Sequence, residues 1–256
     1  MARISANLGF LWNHLPLPEA IRLASDAGFD AVECHWPYVW PQETVAAALA
    51  EFDMPMLSIN TITGKAGSED FGLTALPGRE GEFRLATQQA IDYARAIGCP
   101  RVQAIAGLTD APEARDVMIS NLRWACDRAA DFDIEIVIEP KNGRDLPRYF
   151  LQTLAQSLQL IESVNHENLK LIFDCYHIQI NEGNLIGHFT EYLPYISHVQ
   201  MAAVPDRNAP DHGEIAYERL IKAFQQIGYQ GYFGAEYRAG VEVESTLAWL
   251  ADFQRL

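Results

Sequence analysis

The sequence predicts a (β/α)8 TIM barrel, an α/β fold in one domain over residues 1–256. Three observations predict it. Short β-branched runs alternate eight times with longer helical segments, the pattern of βαβ units around a parallel sheet. A length of 256 residues suits one such barrel and is awkward for two ordinary domains. The long connections follow strands, whereas the links from helix to strand are short. Barrels of this kind carry their active sites on the face where strand-to-helix loops gather.

Taken in order, the predicted strands are 2–8, 29–34, 54–59, 101–106, 134–139, 169–174, 196–201 and 231–236. The predicted helices are 17–27, 42–52, 80–97, 113–131, 150–164, 184–193, 216–227 and 243–254. Helix 80–97 shows why: Phe83, Ala86, Ala90, Ile91, Ala94 and Ile97 form one apolar stripe at helical period. Pro41 and Pro112 stand where helices begin, and Gly28, Gly98 and Gly228 stand just past helix ends, where a left-handed residue suits glycine. The short links read AGFD, IGCP, ADFD and IGYQ; the long ones are 60–79, 107–112, 140–149, 175–183 and 202–215. No internal repeat beyond this alternation and no linker rich in Pro, Gly or Ser appears.

Composition bounds the function. Nineteen basic against 34 acidic residues give a net charge of −15, which repels a phosphate backbone and argues against nucleic acid as partner. No apolar run approaches the length of about 18 residues that spans a membrane, and the N-terminus MARISANLGFLWNHLP is too polar for a secretory signal. Cys34, Cys99, Cys126 and Cys175 form no CxxC pair, so free thiols in a reducing, cytoplasmic setting are expected. The composition leaves a homo-oligomer open.

The chemistry gathers where strands end. Glu139, Asp174 and Glu236 close the fifth, sixth and eighth strands, and Gln200 lies near the end of the seventh. Acidic residues are poor strand formers and costly to bury without partners. Carboxylates converging on one axis repel unless a cation sits among them, and oxygen donors suit a hard divalent ion, Mg2+ or Mn2+. The bland alternative is a set of polar residues capping the helices that follow. His177, three residues past Asp174, reads either as an imidazole facing substrate or as a loop histidine bonded to backbone. His198 lies two before Gln200 and should point inward one layer deeper, as core or support. Glu33, on strand two, reads as ligand, support or cap. Arg207 and Lys141 are candidate cations for a substrate carboxylate, and Asn60 a candidate donor or turn former. Trp36, Tyr38 and Trp40 read as a pocket wall or as loop packing.

The motifs SANLGFLW (5–12), GFDAVE (28–33), PGREGEFR (77–84), AIDYARAIG (90–98), IEPKN (138–142), FDCYHIQINEGNL (173–185), HVQMA (198–202), PDRNAPDHGEIAY (205–217) and GYQGYFGAEYRA (228–239) span nearly the whole chain. In these the chain resembles the hydroxypyruvate isomerase family of xylose isomerase-like barrels. The resemblance implies a metal held by Glu139, Asp174, Gln200 and Glu236, with Glu139 and Glu236 as the proton-transferring pair. It matches His177 and Arg207 to family positions. Two departures touch the substrate pocket: LSINTIT stands where a further histidine is frequent near strand three, and PDHGE where small residues are more usual.

The implied reaction moves a carbonyl between adjacent carbons of a small anionic hydroxy or oxo acid, hydroxypyruvate to tartronate semialdehyde, through an enediolate. The rival readings are an isomerase of the four-carbon 2-oxo-tetronate, a sugar 3-epimerase, an abasic-site endonuclease and a barrel that binds a small acid without converting it. The related epimerases carry a histidine on strand seven where this chain has Gln200, and an endonuclease would want many histidines and a basic face.

Overall fold

Eight parallel strands pair in sequence order and close into a barrel: β1 (Arg3–Asn7), β2 (Ala31–Cys34), β3 (Met56–Asn60), β4 (Arg101–Gln103), β5 (Glu135–Ile138), β6 (Leu169–Asp174), β7 (Ile196–Met201) and β8 (Tyr232–Ala235). The ring closes through β1 and β8, with Ser5 opposite Gly234. These coordinates are a computed structural model that describes residues 1–64 and 70–256. The rest of the predicted 60–79 connection apart, residues 65–69 lie outside the described residues.

The strands are buried on both faces, which is why they read as apolar runs rather than alternations. Around them lie α1 (Leu17–Asp26), α2 (Gln42–Glu51), α3 (Glu80–Ile97), α4 (Ala114–Ala130), α5 (Leu154–Val164), α6 (Cys175–Asn181), α7 (Leu185–Tyr192), α8 (Tyr217–Ile227) and α9 (Leu250–Gln254). The apolar stripe of α3 faces the barrel, with Phe83, Ala86, Ala90, Ile91, Ala94 and Ile97 all buried. Its first turn carries Glu80 and Glu82 and its last Arg95, each sign where the helix dipole favours it. Gly98 and Gly228 end α3 and α8 in the left-handed conformation.

Four predicted elements are corrected. The connection 175–183 holds a helix, α6, which begins because Asp174 caps it: Asp174 Oδ1 accepts the Tyr176 N–H at 2.8 Å. The predicted helix 150–164 starts at Leu154, where the Thr153 hydroxyl accepts the Gln156 N–H at 3.1 Å. The predicted helix 243–254 divides into a 3-10 turn, Val243–Thr246, and the short α9. The fourth strand is also shorter than 101–106, because Ile105 and Ala106 accept backbone bonds from residues 73–75 of the preceding loop.

Candidate active site

The carboxyl ends of the strands place the predicted residues around one mouth. Glu139 and Glu236 stand one residue past β5 and β8, and Asp174 ends β6. Gln200, on β7, lies beside Asp174 of β6 and beside Gly234 of β8. All four are buried, at 1–4 % exposure.

Glu139 and Asp174 each bond one carboxylate oxygen to the protein and leave the other without a hydrogen bond. Glu139 Oε2 accepts from Lys141 Nζ and Gln103 Nε2, while Oε1 has no partner among the described residues. Asp174 Oδ1 caps α6, while Oδ2 accepts no hydrogen bond and lies 3.8 Å from Arg207 Nη2. The amide of Gln200 donates through Nε2 to Glu33 Oε2 at 2.8 Å and leaves Oε1 unpartnered. Glu236 differs, because both its oxygens are engaged: Oε1 accepts from Arg207 Nη2 at 2.8 Å and Oε2 from Asn7 Nδ2 at 3.1 Å.

Buried polar atoms without partners are rare and call for an explanation. Among the described residues, Glu139, Asp174 and His177 offer donor atoms close enough together to share one ion, and the Glu236 carboxylate lies outside that close group; the orphan oxygens of Glu139, Asp174 and Gln200 suit a hard divalent cation. The charges agree. Three carboxylates face Lys141 and Arg207, an excess of one negative charge that a divalent ion would turn into one positive, matched to a monoanion. Burial, followed by the Glu139 charge, pushes Asp174 up to about 6. Burial is also the main cause that pushes Glu236 up to about 8; Arg207 works against it, and the neighbouring Glu139 and Asp174 charges add to it.

His177 sits on α6 rather than in a loop. Its Nε2 lies 3.5 Å from both Glu139 Oε1 and Asp174 Oδ2, so it too could reach a shared ion. The backbone argues for another role. Asn142 N–H donates to His177 Nδ1 at 3.1 Å, and a backbone amide can only donate, so the neutral ring carries its proton on Nε2. Burial, with Lys141 and Arg207 nearby, holds the imidazole well below its ordinary pKa and therefore neutral. His177 thus presents an N–H to the mouth, as a donor to an oxygen.

Arg207 is 7 % exposed, clamped between the rings of Phe10 and Tyr176 at 4.8 and 4.9 Å. Its Nε is unpartnered. Asn60 ends β3, but its bonds to Tyr38 and His35 run through its backbone, and no hydrogen bond among the described residues joins its side chain to the cluster. The aromatic trio is bonded to its neighbours, Trp36 Nε1 donating to the Thr61 carbonyl, Tyr38 to the Asn60 carbonyl and Trp40 accepting from Tyr93, and Trp36 and Trp40 also wall a cavity. His198 lies one layer below Gln200, its Nε2 2.9 Å from Glu33 Oε1. Burial alone would raise Glu33, but His198, Ser5 and Gln200 outweigh it and hold the carboxyl below its ordinary range. The residues sequence reasoning passed over are Asn7 and Gln103. Both are polar groups at strand ends, the same signal that singled out the glutamates.

A family model described as xylose isomerase-like TIM barrel matches residues 21–253. A putative hydroxypyruvate isomerase of Homo sapiens is 38% identical over 98% of this chain and 95% of its own. The chain belongs to the hydroxypyruvate isomerase family. Membership makes it an enzyme, an isomerase of the sugar-acid kind. A 2-oxo-tetronate isomerase of Cupriavidus necator is 35% identical over 99% of both chains. A crystal structure from Brucella melitensis, described as an AP endonuclease of family 2, superposes with a TM-score of 0.95 at 36% identity, covering 98% of this chain and 99% of that one. Among the described residues, no helix is long and apolar enough to cross a membrane.

Proposed function

We propose that this chain, acting as a single barrel domain, interconverts hydroxypyruvate and tartronate semialdehyde, or the corresponding four-carbon 2-oxo acid, with Glu139 and Glu236 transferring the protons. Glu139, Asp174, Gln200 and Glu236 hold a divalent ion, Mg2+ or Mn2+. The observation that carries the reading is the set of buried, unpartnered oxygens on Glu139, Asp174 and Gln200, flanked by Lys141 and Arg207. When bound, the ion supplies electrostatic stabilisation of negative charge developing on substrate oxygen.

The residues divide the remaining work. Arg207, with a free Nε and a guanidinium fixed by two rings, binds the substrate carboxylate. A carboxylate removes a proton from the hydroxymethyl carbon, the electrons pass to the old carbonyl, and a proton returns to the adjacent carbon. The hydroxyl proton shifts to the neighbouring oxygen, so atoms balance without a co-reactant. Glu236 is the better proton carrier. Its affinity for protons is raised by burial, although both its oxygens are held, by Arg207 and Asn7. His177 Nε2–H donates to the substrate oxygen that gains charge. Asn60, near the mouth at the end of β3, faces the substrate side.

The four-carbon acid stays beside the three-carbon one because relatives named for both activities match at similar identity, 38% and 35%. One extra hydroxymethyl group changes binding by only about 1–3 kcal/mol in a pocket. The endonuclease reading is disfavoured by the charge of −15 and by a donor set built of oxygen. Four free, buried cysteines fit a reducing compartment, and we place the enzyme in the cytoplasm. The test is to treat the protein with EDTA, restore Mg2+ or Mn2+, and follow aldehyde formation from each acid. Metal-dependent turnover of either supports the proposal; conversion of neither under any metal overturns it.

A further inference from the structure

Glu33 makes a contact that the strand order does not provide for. Its strand, β2, is separated from β7 around the closed sheet by β1 and β8. Its carboxylate nevertheless reaches both inward side chains of β7: Oε1 lies 2.9 Å from His198 Nε2, and Oε2 accepts from Gln200 Nε2 at 2.8 Å. The Ser5 hydroxyl adds a third bond at 2.7 Å.

Small residues on the two intervening strands make the crossing feasible. Ser5 stands on β1 and Gly234 on β8, opposite one another in register. A Cβ at position 234 would lie 2.0 Å from Glu33 Oε1 and 2.9 Å from His198 Nε2. Gly234 has no need of a left-handed backbone here; its missing side chain is the space the carboxylate occupies.

A glutamine amide offers a donor at one end and an acceptor at the other, and its neighbours decide which end faces which way. An ionised carboxylate only accepts. Glu33 therefore draws Nε2 of Gln200 to itself, and Oε1 is left on the opposite arm of the amide without a partner. We propose that Glu33 is a positioning residue that sets the Gln200 amide so that its oxygen, rather than its NH2, faces the bound cation. The proposal rests on the metal reading above, and the test separates the two.

Mn2+ binding to the EDTA-treated full chain is measured by the loss of the free-ion paramagnetic resonance signal, at a temperature where circular dichroism shows each variant folded. In Glu33→Gln the Ser5 hydroxyl keeps the new amide oxygen to itself, the NH2 faces Gln200 and draws its oxygen away from the mouth, and Mn2+ affinity is expected to fall by about tenfold to a hundredfold, the usual effect of losing a partner that orients a ligand. Combining Glu33→Gln with Gln200→Glu exchanges donor and acceptor, keeps the charge, and is expected to recover most of that loss. Ser5→Ala leaves the Gln200 bond intact and is expected to hold Mn2+ within about twofold of wild type, since its bond is not to the ligand. Should Glu33→Gln fail to fold, Gly234→Ala displaces the same carboxylate and is expected to weaken Mn2+ in the same way. Wild-type protein that takes up no Mn2+ defeats the metal reading, and this proposal with it. Wild type that binds, with Glu33→Gln or Gly234→Ala binding equally well, overturns the proposal alone. Equal loss in Ser5→Ala, or no recovery in the exchanged pair, overturns it too.

Discussion

Replacing Glu236 by Gln removes the group proposed to carry the proton while changing almost no volume. The structure sets the cost to the fold. Both carboxylate oxygens accept hydrogen bonds, from Arg207 at 2.8 Å and from Asn7 at 3.1 Å. A Gln side chain has one oxygen, so its NH2 must oppose one of these donors. Asn7 does not turn freely to relieve the conflict, because its Oδ1 accepts the Gly9 N–H at 2.9 Å. One opposed pair costs about 1–3 kcal/mol, a loss that leaves the domain folded and lowers Tm by about 2–4 °C per kcal/mol in a chain of this size. The rate should suffer far more. A positioned proton transfer is worth about 10²–10⁴-fold, or roughly 3–5 kcal/mol of barrier at about 1.4 kcal/mol per decade. Aldehyde formation reports turnover, and uptake of deuterium from solvent at the substrate carbon, followed by proton NMR, reports the transfer alone. A variant that melts cooperatively yet keeps more than about a tenth of either rate would refute the assignment, since that lies above the weak end of the effect.

Three further outcomes follow from the same geometry. Arg207→Lys forfeits the planar fork and the contact with Phe10 and Tyr176, and KM for the acid should rise by about 10- to 100-fold, the worth of one charged hydrogen bond; an unchanged KM speaks against carboxylate binding there. Asp174 at about 6 and Glu236 at about 8 must shed protons to hold a cation, so the Tm gain from saturating Mn2+ should grow as pH rises from about 6 to about 8. Without the ion the sign reverses: these raised carboxyls bind protons in the folded state that the unfolded chain does not, so their contribution to stability grows as pH falls from about 8 towards the ordinary carboxyl range. A Tm gain independent of pH would count against both assignments. Burial pushes the thiols of Cys34, Cys99 and Cys126 up to about 12, so iodoacetamide at about pH 8 should leave the native chain unlabelled by mass spectrometry and modify it fully in urea.

The barrel was legible because its evidence is local. Each strand is a contiguous apolar run, and each helix carries its own stripe and stop. The missed helix, α6, is short, and its start signal is Asp174, a residue whose type pointed first to a ligand; one oxygen caps the helix and the other makes no hydrogen bond. Glu139, Asp174, Gln200 and Glu236 could be picked out because a polar group ending a buried strand is conspicuous by its cost. Their partners could not. Asn7 meets Glu236 across 229 residues and Glu33 meets Gln200 across 167, and no local pattern encodes such a meeting. The tautomer of His177 was equally out of reach, because it depends on one backbone N–H of Asn142.

The charged cluster draws on one arc of the ring, with its acids at the ends of β5, β6 and β8 and Gln200 on β7. Next to the β8 end of that arc, the loops after β1 and β2 contribute Phe10 and His35, in edge contact with each other at 5.3 Å. The acids and this aromatic pair therefore ride on different stretches of chain, and Phe10, packed against Arg207, ties the second stretch to the Glu236 carboxylate. A change at Phe10 is therefore felt at the Glu236 carboxylate through the guanidinium between them, so this edge of the mouth and its acids vary together rather than apart.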